Sequence, residues 1–412
     1  MSGHCDVLIV GAGHAGLAAS YFLSAAGIEH AVLERGQIAN AWVNHRWDSF
    51  CLVTPNWTIT LPGAEYNGVD SGGFMLRNDF VAYMRNWAHS FSAPVRCGVE
   101  VTRISGESGD FRLETSDGPV GAKAVIVATA TYHKPKPVPI KARLALRLHQ
   151  CLATDYKNPA MLPSGAVLVV GSGQSGCQIA EELMDAGRDV HLCVGRAGRL
   201  PRRYRGKDCI EWQRDMRWLE RTPDFLERPE HRFRGDPHLS GKNGGHTISL
   251  HCFRARGMHL HGHICNGEGE RLSLSDDLTE GLKYSDDYAL NYYKAVDDHI
   301  AVDRLAAPEP TSAELDGGPI PVLAPMPSGH SIDLKDRQIS TIIWATGFTY
   351  DFSWIDFPVF DGMGYPVTDR GVTSVPGFYF MGLNWMHKRK SDRKSTRLNS
   401  SHPRLSRMPS SA

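Results

Sequence analysis

The sequence predicts an α/β fold in which one parallel-sheet domain is inserted into another. Three observations carry that expectation. An apolar run, a glycine-rich turn and a helix-like run follow one another from Cys5. The same order returns from Val167. After each unit comes a further apolar run, at 124–132 and at 338–348, that ends in small residues. Continuous apolar runs mark strands buried on both faces, as in a parallel sheet covered by helices.

The 412 residues allow two or three domains, with cores large enough to need no disulfide or metal staple. Lys+Arg 45 against Asp+Glu 45 sums to zero, which argues against a dedicated nucleic-acid binder. No apolar run reaches the roughly 18 residues of a membrane helix, so no membrane partner is expected. The first strand begins near Asp6, leaving no room for a signal peptide. Nine scattered cysteines without Cys-x-x-Cys read as reduced thiols in a cytoplasmic protein.

In the first unit Val7-Leu8-Ile9-Val10 is the strand and Leu17 to Ala26 the helix. Between them, Gly11 makes the tight turn, Gly13 admits a pyrophosphate to the backbone, and Gly16 lets helix and strand pack closely. The helix N-terminus faces the phosphates. His30 to Glu34 is a second strand, and Glu34, 18 residues after Gly16, is placed to bind ribose hydroxyls. This is a dinucleotide-binding, Rossmann-like unit.

In the second unit Val167-Leu168-Val169-Val170 leads into Gly171, Gly173, Gln174, Ser175 and Gly176. A helix over 174–186 and a strand over 189–194 follow. Gly195-Arg196 ends that strand where an acid would otherwise stand. An Arg pairs with a 2′-phosphate that an acid would repel, so the nucleotide is expected to be NADPH. The alternative for Arg196 is a solvated surface charge.

Two dinucleotide folds in one chain suggest FAD plus NADPH. The expected organisation is an FAD domain over 1–162 and 331–391, with an NADPH domain over 163–330 inserted into it. The small residues that end the flanking runs, including Thr129 and Thr346-Gly347, are expected where backbone passes close to a cofactor.

At this point the chain resembles the flavin-containing monooxygenase-like flavoproteins, in their bacterial and plant-like branch. The resemblance rests on both glycine motifs, Leu33-Glu34-Arg35-Gly36, Arg46-Trp47-Asp48-Ser49-Phe50 and Thr54-Pro55-Asn56-Trp57. Thr129-Ala130-Thr131-Tyr132, Ala345-Thr346-Gly347-Phe348 and Gly377 to Leu383 complete it. It implies that NADPH reduces FAD, that oxygen adds at flavin C4a, and that the peroxyflavin oxygenates a small organic substrate. The alternatives are an NADPH oxidase releasing hydrogen peroxide and a non-enzymatic nucleotide sensor associated with cation transport. A homodimer stays open.

The resemblance places Arg35, Trp42 and Thr54 around the FAD, with the 42–57 loop against the isoalloxazine edge. Asn56 is the candidate catalytic residue, a hydrogen-bond donor near the flavin; the alternative is a plain turn residue. One departure is visible. The family has a His four residues before the aromatic that Tyr156 matches, and here that position is Leu152.

His259, His261 and His263 alternate along a possible strand, but no nearby Cys or acid in the sequence completes a site, so no metal is expected. The basic run Arg196, Arg199, Arg202, Arg203, Arg205 and Lys207 is expected to meet nucleotide phosphate. Phe80, Met84, Trp87 and Phe91 recur at helical spacing and are expected in a core. Residues 392–412 have no apolar period and carry five basic residues against one acid, which reads as disorder. They also look like the translation of a common short-read sequencing adapter. On that expectation the natural sequence stops near Ser391, before the C-terminal helix that the family resemblance implies.

Overall fold

The computed structural model describes residues 4–132, 134–316 and 330–392. Apart from Asp392, the expectation for 392–412 lies outside them.

The first sheet has seven strands. β1 (His4–Val10) lies between β2 (His30–Glu34) and β6 (Val120–Val127), parallel to both, and β3 (Val95–Cys97) extends the β2 edge. β4 (Val101–Glu107) and β5 (Asp110–Thr115) form an antiparallel ribbon leading into β6. The chain returns at the end to lay β12 (Phe378–Phe380) parallel to β6.

The second sheet is wholly parallel. β7 (His149–Leu152), β11 (Ile339–Trp344), β8 (Ala166–Val170), β9 (Val190–Cys193) and β10 (His259–His261) lie in that order. This shifts the expected boundaries. β7 falls before residue 163 and β11 after residue 330, yet both pair in the second sheet, with β11 seated at Val167↔Thr341. Composition has no signal for this, because a buried strand reads alike in either sheet.

Both faces of each central strand are covered, as the unbroken apolar runs require. Val7 and Ile9 point into a core that also takes Val167 and Val169 of the second sheet. Leu8 and Val10 fill the opposite face of the first sheet with Phe378 and Phe380. Leu168 and Val170 fill the opposite face of the second with Ile342 and Trp344. The shared core joins the two sheets.

Helix α1 (His14–Ala25) follows β1 and helix α3 (Gln174–Asp185) follows β8. Between them, α2 (Arg77–Ser90) buries Phe80, Met84 and Trp87 at the expected spacing. The long α4 (Leu278–Asp303) covers the 200–215 region with Ala289, Tyr292, Tyr293 and Val296. Among the described residues no helix is long and apolar enough to cross a membrane.

Candidate cofactor and active site

A cavity of about 980 Å³ opens at the C-terminal ends of β1, β2 and β6. That is the edge where open α/β sheets bind ligands, and the volume is at the upper end of the ~300–1,000 Å³ usual for such sites. Gly11, Gly13, Glu34, Arg35, Trp42, Thr54 and Thr129 line it. Gly16 lies below it, where a Cβ would stand 1.9 Å from the Gly11 carbonyl oxygen.

The cradle fits a dinucleotide. Gly11 has φ +107°, and a Cβ there would lie 2.7 Å from the carbonyl oxygen of Ala128. Gly13 starts α1 with no side-chain cap, and a Cβ there would meet nothing within 4 Å. The first-turn amides of α1 therefore open toward an anion. Glu34 is buried, with its two oxygens accepting from the Ala12 amide at 2.8 Å and the Gly36 amide at 2.9 Å. Each oxygen keeps a lone pair for a hydroxyl. Thr129 Oγ1 is buried with no hydrogen-bond partner among the described residues, which suits a polar ligand against it.

The second glycine turn repeats this geometry. Gly171 has φ +108°, and a Cβ there would lie 2.5 Å from the carbonyl oxygen of Ala345. Thr346 and Gly347 therefore sit beside this turn rather than in the 980 Å³ cavity, which corrects their expected place in the first domain. The cause is the pairing of β11 with β8.

A family model described as pyridine nucleotide-disulphide oxidoreductase matches residues 8–210. An uncharacterised CzcO-like oxidoreductase of Geobacillus kaustophilus (strain HTA426) is 31% identical over 389 residues, covering 94% of this chain and 93% of the relative. The probable indole-3-pyruvate monooxygenase YUCCA1 of Arabidopsis thaliana is 31% identical over 192 residues, 45% of this chain and 46% of the relative. A solved structure of a variant flavin monooxygenase from Stenotrophomonas maltophilia shares the fold, with a TM-score of 0.62, 18% identity and 98% of each chain covered. The chain belongs to the flavin-containing monooxygenase-like family. FAD and NADPH are the cofactors, and the protein is a flavin-dependent oxidoreductase.

Within this family frame several expected residues have other work. Asn56 is not among the residues lining the cavity. Its Nδ2 donates to the Asp70 carbonyl at 3.0 Å and its Oδ1 accepts from the Met75 amide at 2.9 Å. The amide staples the 56–75 loop, which favours the turn-residue alternative over a donor at the flavin. The 42–57 loop brings His45, Arg46 and Thr54 to the cavity, and of these Arg46 stood in the sequence only as part of a family motif. Its guanidinium stacks 5.6 Å from the Trp42 ring centre and 5.7 Å from that of Phe50. Burial pulls its pKa below the ordinary value.

Gln174 is also taken. Its side chain brackets the Leu239 backbone, donating to the carbonyl at 2.5 Å and accepting from the amide at 3.0 Å. The basic run has protein partners instead of an open phosphate site. Arg199 pairs with Asp286, Arg202 with Asp208, Arg205 with Asp297 and Lys207 with Asp215. Arg203 donates to the carbonyls of Gly244 and Gly245. Arg196 differs, since it is 70% exposed and holds an equally exposed Glu280 at 3.3 Å. Ser175 lies in the first turn of α3.

The segment that carries the Leu152 departure joins the sheets. Leu152 ends β7 opposite Trp344. Four residues on, the Tyr156 hydroxyl donates to Glu182 of α3 at 2.8 Å, and Ser49 of the first domain donates to the other Glu182 oxygen at 2.5 Å. The histidine pattern also resolves differently. His259 and His261 lie on β10, but His263 lies beyond it and pairs with Asp277. Asp189 and His191, about 70 residues away in sequence, come beside His259 instead.

Proposed function

We propose that the chain is a cytosolic NADPH- and FAD-dependent monooxygenase that uses O2 on a small organic substrate. The observation that carries this is the composition of the cavity. One wall is the dinucleotide cradle, and the other comes from Ile210, Arg214, Arg217, Leu219 and Asp236 of the inserted region. A cofactor held in the cradle thus shares one enclosed space with a wall able to hold a second molecule. The FAD would rest on Gly11 and Gly13, with Gly16 beneath, Glu34 on the ribose, and Arg35, Trp42, Thr54 and Thr129 around it. The NADPH would lie on Gly171, Gly173, Ser175 and Gly176, next to Thr346 and Gly347, with Arg196 reaching its 2′-phosphate.

Bound flavin supplies the redox and oxygen-activating chemistry. The chain's own residues bind, orient and exclude water. Trp42 and Phe50 hold the Arg46 guanidinium in the cavity wall, where it offsets the negative charge that dinucleotides bring. Nine free thiols without a disulfide support a reducing compartment.

The test is anaerobic mixing of flavin-loaded protein with NADPH, then addition of O2 and a substrate panel. Flavin bleaching by NADPH, followed by oxygenated product, is expected. Bleaching with only hydrogen peroxide would favour the oxidase. Failure of NADPH to bleach the flavin would overturn the proposal.

A further inference from the structure

The start of β9 and its partner β10 bring four polar side chains to one face of the second sheet. His191 and His259 are direct cross-strand partners, and His261 pairs with Cys193 one step on. Asp189 stands two residues before His191, and side chains two apart on an extended chain share a face. The result is a layered stack. The rings of His191 and His259 lie 4.5 Å apart at 19°, and those of His191 and His261 lie 5.1 Å apart at 9°.

The polar atoms are arranged for a ligand. Nε2 of His259 is 3.2 Å from one Asp189 oxygen, and Nε2 of His191 is 3.9 Å from the other. All three ligand atoms lie within 4.8 Å of one another. The His191 side chain is 1% exposed, yet its Nε2 has no hydrogen-bond partner among the described residues. Its Nδ1 lies 2.9 Å from Nε2 of His261. When Nδ1 carries the proton and donates it to His261, a bare Nε2 lone pair is left facing a carboxylate. A cation between them relieves that contact, and the His261 hydrogen bond then orients the ligating ring from behind.

We propose that Asp189, His191 and His259 bind a divalent transition-metal ion of the Zn²⁺ class, with His261 as the positioning residue behind His191. Two imidazole nitrogens and one carboxylate oxygen suit a borderline ion, with water completing a tetrahedron. Bonds of about 2.0–2.2 Å require ligand atoms roughly 3.3 Å apart, which small side-chain rotations reach. Asp189 is 54% and His259 47% exposed, so the mouth opens to solvent. The site is at the N-terminal ends of the strands, opposite the glycine turns, and so is separate from the nucleotide.

The experiment uses the metal-stripped, flavin-loaded full chain, titrated with Co²⁺ and separately with Zn²⁺. One Co²⁺ per chain with the visible absorption of a tetrahedral complex is expected, along with one calorimetric Zn²⁺ site that raises the melting temperature. Asp189→Asn and His259→Gln remove exposed ligands, and should each weaken Zn²⁺ binding at least ~10-fold while keeping the wild-type flavin content. His261→Gln, behind the ligand, should weaken Zn²⁺ and shift the Co²⁺ spectrum without abolishing it. The proposal is overturned if the wild type binds no stoichiometric ion. It is equally overturned if Asp189→Asn and His259→Gln bind Zn²⁺ as the wild type does.

Discussion

Gly13 shows how one missing side chain makes a site. A Cβ there meets no protein atom, so the residue is free of packing duty. Gly13→Asp should therefore fold, with an apoprotein melting temperature close to wild type. It should lose bound flavin, because a carboxylate would occupy the α1 N-terminus where pyrophosphate belongs. Flavin content per chain after gel filtration checks this. Arg196 is a residue of the opposite kind, long, exposed and held only by the surface pair with Glu280. Such a pair is weak and easily exchanged for a phosphate. Arg196→Glu should cost roughly 1.5–3 kcal/mol in the charge-assisted contact, or about 10- to 150-fold in kcat/KM for NADPH, and little for NADH. Steady-state kinetics with both nucleotides decide it, and equal losses would assign the 2′-phosphate to another residue.

At the scale of elements, the loop at 238–246 is bound to α3 from both ends of its reach. Gln174 brackets Leu239, and Nε2 of His246 meets Glu181 at 2.6 Å. That hydrogen bond raises the pKa of His246 above its ordinary 6.5. A pKa raised on folding adds stability that is fully present below about 6.5 and is lost as pH rises through the folded value. The melting temperature should thus fall as pH rises above about 6.5 through the raised folded-state value, and His246→Gln should remove that slope. The effect is at most about 1 kcal/mol, since solvent screens the half-exposed imidazole. Melting curves across this pH range provide the check.

The two sheets meet through a core and through polar contacts, among them a carboxylate shared by Tyr156 and Ser49. Tyr156 is fully buried, and its phenol is pushed far above its usual range by burial and by Glu182. It therefore stays protonated and donates to the carboxylate that also accepts from Ser49. Tyr156→Phe leaves a Glu182 oxygen without that donor and should cost about 1–3 kcal/mol, read from chemical denaturation. Because the bridge spans both domains, NADPH should also reduce the flavin more slowly in this variant, with flavin content unchanged. An unchanged reduction rate would confine Tyr156 to a stabilising role.

The strand–turn–helix units were legible because their causes are local. Gly11 and Gly171 need a positive φ and the closeness of a neighbouring carbonyl, and Val7 to Val10 must be apolar on both faces, whatever the rest of the chain does. Glu34 was legible for the same reason, standing at the end of the next strand. What only the tertiary structure decided depends on pairing between distant segments. β7 and β11 joined the second sheet through backbone hydrogen bonds that carry no residue code. Asn56 and Gln174 were claimed by the backbones of Asp70, Met75 and Leu239, and Arg199 and Arg205 by carboxylates about 90 residues away. A polar side chain satisfies the first suitable partner the fold brings within about 3 Å, and sequence spacing says nothing of partners that far along the chain.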